Sequence, residues 1–174
     1  MIVDCALYVD GARVAGHLEF ETAVAQARRS PGAFVWVGLH EPTMEEFADL
    51  AREFHLHPLA VEDAVHAHQR PKVEVYGDNV FVVLKTATYA DHEEIVQLGE
   101  VMVFVGEHFV VSVRHGEHGS LTDVRDHIEA DPERLRCGPT AVLHAIVDHV
   151  VDQYDAVGAD LDVDIDQIEE QVFS

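Results

Sequence analysis

Basic residues are scarce in this chain: 11 Lys and Arg stand against 33 Asp and Glu, a formal charge of −22 over 174 residues. Such a balance argues against nucleic acid and anionic membrane surfaces as direct partners; cations and basic surfaces suit it. Cysteine is nearly absent. Cys5 and Cys137 form no metal motif, and a lone pair gives no disulfide scaffold. No stretch approaches the ~18 apolar residues that span a bilayer. The start, Met1-Ile-Val-Asp, lacks the basic residues and apolar run of a signal peptide. These absences describe a soluble, cytoplasmic piece. Catalytic signatures are missing too. Ser30, Ser112 and Ser120 lie in no Gly-x-Ser-x-Gly elbow, and no P-loop or dinucleotide fingerprint occurs.

What is present is a core. Apolar residues make up 48% of the chain, which suits a folded domain rather than a disordered one. Ile2–Tyr8 and Arg13–Leu18 read as a hairpin around Asp10-Gly11. Glu21–Arg29 reads as a helix closed by Ser30-Pro31-Gly32, and Ala33–Leu39 as a buried strand. Thr43 with Glu46 forms a capping box for a helix whose apolar face is Phe47, Leu50, Ala51 and Phe54. Pro58 suits the first turn of the next helix, which ends before Pro71. Asn79–Tyr89, Val96–Val105 and Phe109–His115 are three further strands, with Gly106–His108 a hairpin loop. Ser120–Glu129 is a helix that Asp131-Pro132 breaks.

From Pro139 onward one long helix is expected. Leu143, Val147, Val150, Tyr154, Val157, Leu161, Ile165, Ile168 and Val172 step at threes and fours, the seam of a coiled coil or packed hairpin. The first five define its expected packed side. The seam runs to the chain end without a cap, so the chain reads as cut or as docking on another subunit. The expected architecture is an α/β fold: a mixed sheet flanked by helices over residues 1–174, with 139–174 the start of a stalk.

Carboxylates and histidines supply the candidate sites. Asp160–Asp166 alternates acids like a calcium loop. Counting from Asp160 or Asp162, however, puts Ile165 or Gln167 where Gly is required and Gln171 or Phe173 where Glu is required. It reads as the solvated face of a helix. The pairs His55/His57, His66/His68 and His115/His118 suggest no converging zinc site. Glu62 and Asp63 are adjacent on a helix and so point about 100° apart. They do not converge on one atom but can each reach a different cation. Asp148, Asp152 and Asp155 share a helix face, a repulsive spacing that a divalent cation would relieve.

The segment His57–Tyr89, "HPLAVEDAVHAHQRPKVEVYGDNVFVVLKTATY", resembles the CorA magnesium and cobalt transporters. "FVVSVRH", Val124–Val157 and "LDVDIDQIEEQVF" are similar to successive later blocks, so the resemblance runs from about Trp36 to the end. It implies a cytoplasmic regulatory domain of a homopentameric channel, not an enzyme, joined to the cell membrane only through a C-terminal region beyond these residues. It also implies that interface acids bind regulatory Mg2+ and favour the closed state. Asp63 matches one interface site, and Glu62 with Asp148 a second. The facing carboxylate would lie on the neighbouring stalk. Arg70, Pro71 and Lys72 would shape the following turn. Co2+, Ca2+ and Zn2+ are the other cations considered. A ZntB-type zinc transporter is the nearest alternative; a soluble metal-dependent enzyme and a structural assembly module are the others.

Overall fold

The computed structural model describes residues 2–16, 18–90, 94–116 and 120–173. Its elements run β1 (Ile2–Val9), β2 (Ala12–Arg13), α1 (Phe20–Arg29), β3 (Phe34–His40), α2 (Met44–Glu53), α3 (Pro58–His66), β4 (Lys72–Tyr76), β5 (Asn79–Ala90), β6 (Ile95–Val105), β7 (Phe109–His115), α4 (Thr122–Glu129), α5 (Pro132–Leu135) and α6 (Pro139–Phe173). Among the described residues seven strands form one sheet in the order β2-β1-β3-β7-β6-β5-β4. β3 and β7 run parallel, and the other neighbours are antiparallel.

Strand alternation divides the core into two. Val35, Val37 and Leu39 of β3 face α1, α2 and α3, while Phe34 and Trp36 face α4, α5 and α6. A strand covered on both sides reads as a continuous apolar run, which is why "AFVWVGL" is so plainly a strand. The last two of the expected central strands, Val96–Val105 and Phe109–His115, pair with each other, and β5 flanks them. The capping box also forms: Glu46 N–H donates to Thr43 Oγ1 at 3.2 Å, and Thr43 N–H donates to Glu46 Oε2 at 3.0 Å. Phe47, Leu50 and Phe54 are buried, as the 3-4 spacing predicts.

Several expectations are corrected. The second hairpin strand is only Ala12–Arg13, not Arg13–Leu18. Its turn residues, Asp10 (φ 50°) and Gly11 (φ 77°), are both left-handed, as a tight two-residue hairpin requires. Asp131-Pro132 does not merely break a helix. Asp131 Oδ1 accepts from Arg134 N–H at 3.1 Å and starts the short α5. Lys72 shapes no turn; it is the first residue of β4.

The long helix is present, and Asp160–Asp166 lies within it. Its packed side differs from the expected seam. Val150 and Val157 are buried, but Leu143 and Val147 are only half-buried and Tyr154 is 45% exposed. The buried set is Ala141, Val142, Ala145, Ile146, Val150 and Val157. The physical reason is the partner. This helix lies on a sheet rather than along a second helix, and the two alanines admit close approach. Tyr154 instead reaches β5 with its hydroxyl, donating to the Lys85 carbonyl at 2.6 Å. Tyr89 and Asp164 form a second tie to the same helix. Leu161, before this tie, and Ile165, Ile168 and Val172, after it, are exposed.

Candidate functional site

The chain turns sharply between α3 and β4. Ala67 (φ 54°) and His68 (φ 58°) take left-handed conformations that ordinary residues adopt at a cost. Gln69 N–H is then held by the carboxylate of Glu100, a buried acid paired with Lys85. This geometry returns β4 beneath α3, and Lys72 Nζ reaches Asp63 Oδ2 at 2.7 Å. The same ammonium lies 2.8 Å from Glu74 Oε2, which also accepts from the Tyr76 hydroxyl at 2.9 Å. Hydrogen bonds to Asp63 and then Glu74 hold the Lys72 ammonium above its ordinary pKa. Glu74 is held below the usual carboxylate range, first by Lys72 and then by Tyr76. Asp63 is therefore a carboxylate already supplied with a cation by its own chain.

Glu62, one residue earlier, points elsewhere, as adjacent helical positions must. It is exposed at the rim of an apolar groove between α2 and α3, lined by Met44, Ala51, Leu56, Pro58 and Val61. Its carboxylate has no hydrogen bond or ion pair among the described residues. Asp148 is on α6, with 58% of its side chain exposed and Arg134 Nη2 3.7 Å away. It borders a hollow shared with Asp123, His127, His149 and Asp152. α3 and α6 cover opposite faces of the sheet. The structure thus brings Glu62 and Asp63 onto one helix and keeps Asp148 apart from both. Among the described residues no three His, Cys, Asp or Glu side chains come close enough to hold a metal ion.

The histidines serve helix ends and backbone. His57 Nδ1 accepts from Leu59 N–H at 3.3 Å, and its ring stacks on Tyr76 at 4.1 Å. His66 Nδ1 bonds the Glu62 carbonyl at 2.9 Å, and His115 Nε2 bonds the Ala64 carbonyl at 2.7 Å. His118, the other member of its pair, lies outside the described residues. Lys72, Glu74 and Tyr76 were missed as a group. Their signal was present: "KVEVY" alternates polar and apolar, placing those three on one side of a strand.

The sequence profile of the family described as "CorA-like Mg2+ transporter protein" matches residues 31–174. The chain belongs to this family. Among individual relatives, YfjQ of Bacillus subtilis (strain 168) is 35% identical over 138 residues, covering 79% of this chain and 42% of that protein. The cobalt/magnesium transport protein CorA of Thermotoga maritima is 31% identical over 120 residues, covering 68% of this chain and 34% of its own length. The chain thus spans well under half of each of these relatives. The soluble domain of CorA from Methanocaldococcus jannaschii superposes with a TM-score of 0.66 at 14% identity, over 99% of this chain and 66% of that one. The ZntB cytoplasmic domain from Vibrio parahaemolyticus superposes at 0.52 and 14% identity, over 79% of this chain and 52% of that one. The CorA and ZntB domains share this fold, so fold alone does not separate them. No described helix is long and apolar enough to cross a membrane.

Proposed function

We propose that the chain is the regulatory cytoplasmic part of a divalent-cation transport channel and has no enzymatic activity of its own. In this reading Mg2+ binds Glu62, Asp63 and Asp148 between neighbouring copies in a ring of five and favours the closed state. Membrane attachment is assigned to the part of the relatives that this chain does not cover. Mg2+, with Co2+ as the nearest substitute, is preferred over Ca2+ and Zn2+ because the T. maritima relative is named for cobalt and magnesium transport.

The observation that carries the proposal is the placement of Glu62 and Asp148. Both are exposed, and they lie on opposite faces of the sheet. One chain cannot bring them to a shared ion, whereas two copies face to face can. Charge then supplies the switch. Carboxylates opposed across an interface attract a shared Mg2+ and repel one another without it, which biases a two-state arrangement. Mg2+ gives up its waters reluctantly, so a site with few protein oxygens binds it weakly.

The test is melting of the chain in Mg2+ against NaCl of equal ionic strength. A Mg2+-specific rise that shrinks in Asp63→Ala and in Glu62→Ala/Asp148→Ala is the expected result. Retention of the full rise in those variants would mean that cations only relieve diffuse repulsion.

A further inference from the structure

We propose that the cavity between α4 and the carboxyl ends of β3 and β7 binds the phosphoryl group of a small phosphorylated metabolite. The cavity holds about 340 Å3 and is separate from the three carboxylates of the proposed sensor. That volume suits a ligand of a few carbons and one phosphate better than a nucleotide.

Its walls gather positive charge that the chain hardly possesses. Arg13, Arg114 and Arg125 all line it, three of only 11 basic residues in a chain of charge −22. They come from β2, β7 and α4, so the fold, not the local sequence, concentrates them. Two are partly neutralised. Arg125 Nη1 lies 2.8 Å from Asp4 Oδ2, and Arg13 Nη2 lies 3.0 Å from Asp4 Oδ1. Asp4 therefore serves two guanidiniums, and Glu129 Oε1 stands a further 3.4 Å from Arg13 Nη1, which leaves Arg114 as the guanidinium of this wall without a carboxylate among the described residues. Arg114 is half-buried and makes no side-chain hydrogen bond or ion pair among the described residues. A guanidinium partly withdrawn from water without a partner is costly, and an oxyanion is the group that its fork of donors matches best.

The rest of the wall suits an oxyanion. Ser112 and Thr122 add hydroxyls, and Gly38 leaves the floor open where a side chain would otherwise project between Asp4 and Ser112. β3 and β7 are the parallel pair of the sheet among the described residues, and α4 is the helix that follows β7. Ligands of α/β sheets bind outside the carboxyl ends of parallel strands, where the positive end of a following helix adds to the field. Asp126 at the rim opposes this charge.

Trp36 supplies the readout. It is the only tryptophan, and the Arg125 guanidinium lies 3.9 Å from its ring, so movement of Arg125 changes its emission. The chain is titrated, without divalent cations, with inorganic phosphate and separately with glycerol 3-phosphate, against NaCl at equal ionic strength. A saturable change in Trp36 emission is expected with both, tighter with the ester. Arg114→Gln should weaken it about tenfold or more while leaving the melting temperature without phosphate nearly unchanged. Asp126→Asn should tighten it. A purely structural arginine cluster would respond to neither variant. The proposal is overturned if phosphate and NaCl act alike, if Arg114→Gln binds as the wild type does, or if Asp126→Asn weakens binding.

Discussion

A lysine ammonium already sits 2.7 Å from the Asp63 carboxylate, so a Mg2+ ion at Asp63 must displace it or share with it. Both side chains are about a quarter exposed, which limits the pair to roughly 1 kcal/mol. Lys72→Gln should lower stability by about that amount in the absence of Mg2+ and tighten Mg2+ binding about fivefold, measured by melting across a Mg2+ series. Unchanged Mg2+ affinity would remove Asp63 from the proposed sensor. The pair also has a pH signature. The folded ammonium titrates above the usual value of about 10.4, so its contribution is complete below that pH and fades as pH rises through the folded value. Glu46 behaves oppositely. Its carboxylate is held low, chiefly by the Thr43 backbone N–H. Its contribution is therefore present above about pH 4.3 and is lost as pH falls through the lower folded value. Glu46→Ala should melt below the wild type at pH 7, and the gap should close in acid.

Between elements, the β1–β2 turn shows how a local signal acquires a long-range constraint. Gly11 is left-handed, and a Cβ added there would sit 2.1 Å from the Pro132 carbonyl oxygen of α5. Arg136 Nε also donates to the Asp10 carbonyl at 3.1 Å. Gly11→Ala combines strain with a backbone clash and should cost about 2 kcal/mol or more. Gly77 has a similar φ of +62° but open space around it, so Gly77→Ala should cost only about 1 kcal/mol. Urea unfolding of the two variants separates these effects. α6 allows a parallel comparison. Ile146 is fully buried, and Ile146→Ala should lose about 2–5 kcal/mol. Leu161 is 40% exposed, and Leu161→Ala should stay within about 0.5 kcal/mol for the single chain.

For the whole molecule the governing quantity is the charge of −22. Any salt screens self-repulsion, so a cation effect counts as specific only against NaCl of equal ionic strength. A site short of protein ligands should have a millimolar dissociation constant for Mg2+. At ten times that constant, linkage gives about 1.4 kcal/mol, or a rise of roughly 3–6 °C in melting temperature. The proposed sensor carboxylates account for that increment only if their removal abolishes it. Each of Glu62 and Asp148 lies on its own side of the sheet, so the increment should grow with protein concentration as copies meet.

The sequence by itself determined whatever depends on neighbours a few residues away. The capping box at Thr43 and Glu46, the Asp10-Gly11 turn, the doubly buried β3 and the long helical run were legible because caps, turns and hydrophobic period are local. The "HPLAVEDAVHAHQRPKVE" block pointed to the family, and to Glu62 and Asp63 as the residues to watch. Only the tertiary structure decided which apolar residues of α6 face inward, because that depends on whether its partner is a helix or a sheet. It alone placed Lys72 on Asp63, through a left-handed turn at Ala67 and His68. It alone separated Asp148 from Glu62 by the thickness of the sheet and gathered Arg13, Arg114 and Arg125 around one cavity. Those juxtapositions join residues far apart in the chain, where register and strand order set the distance and no local pattern records it.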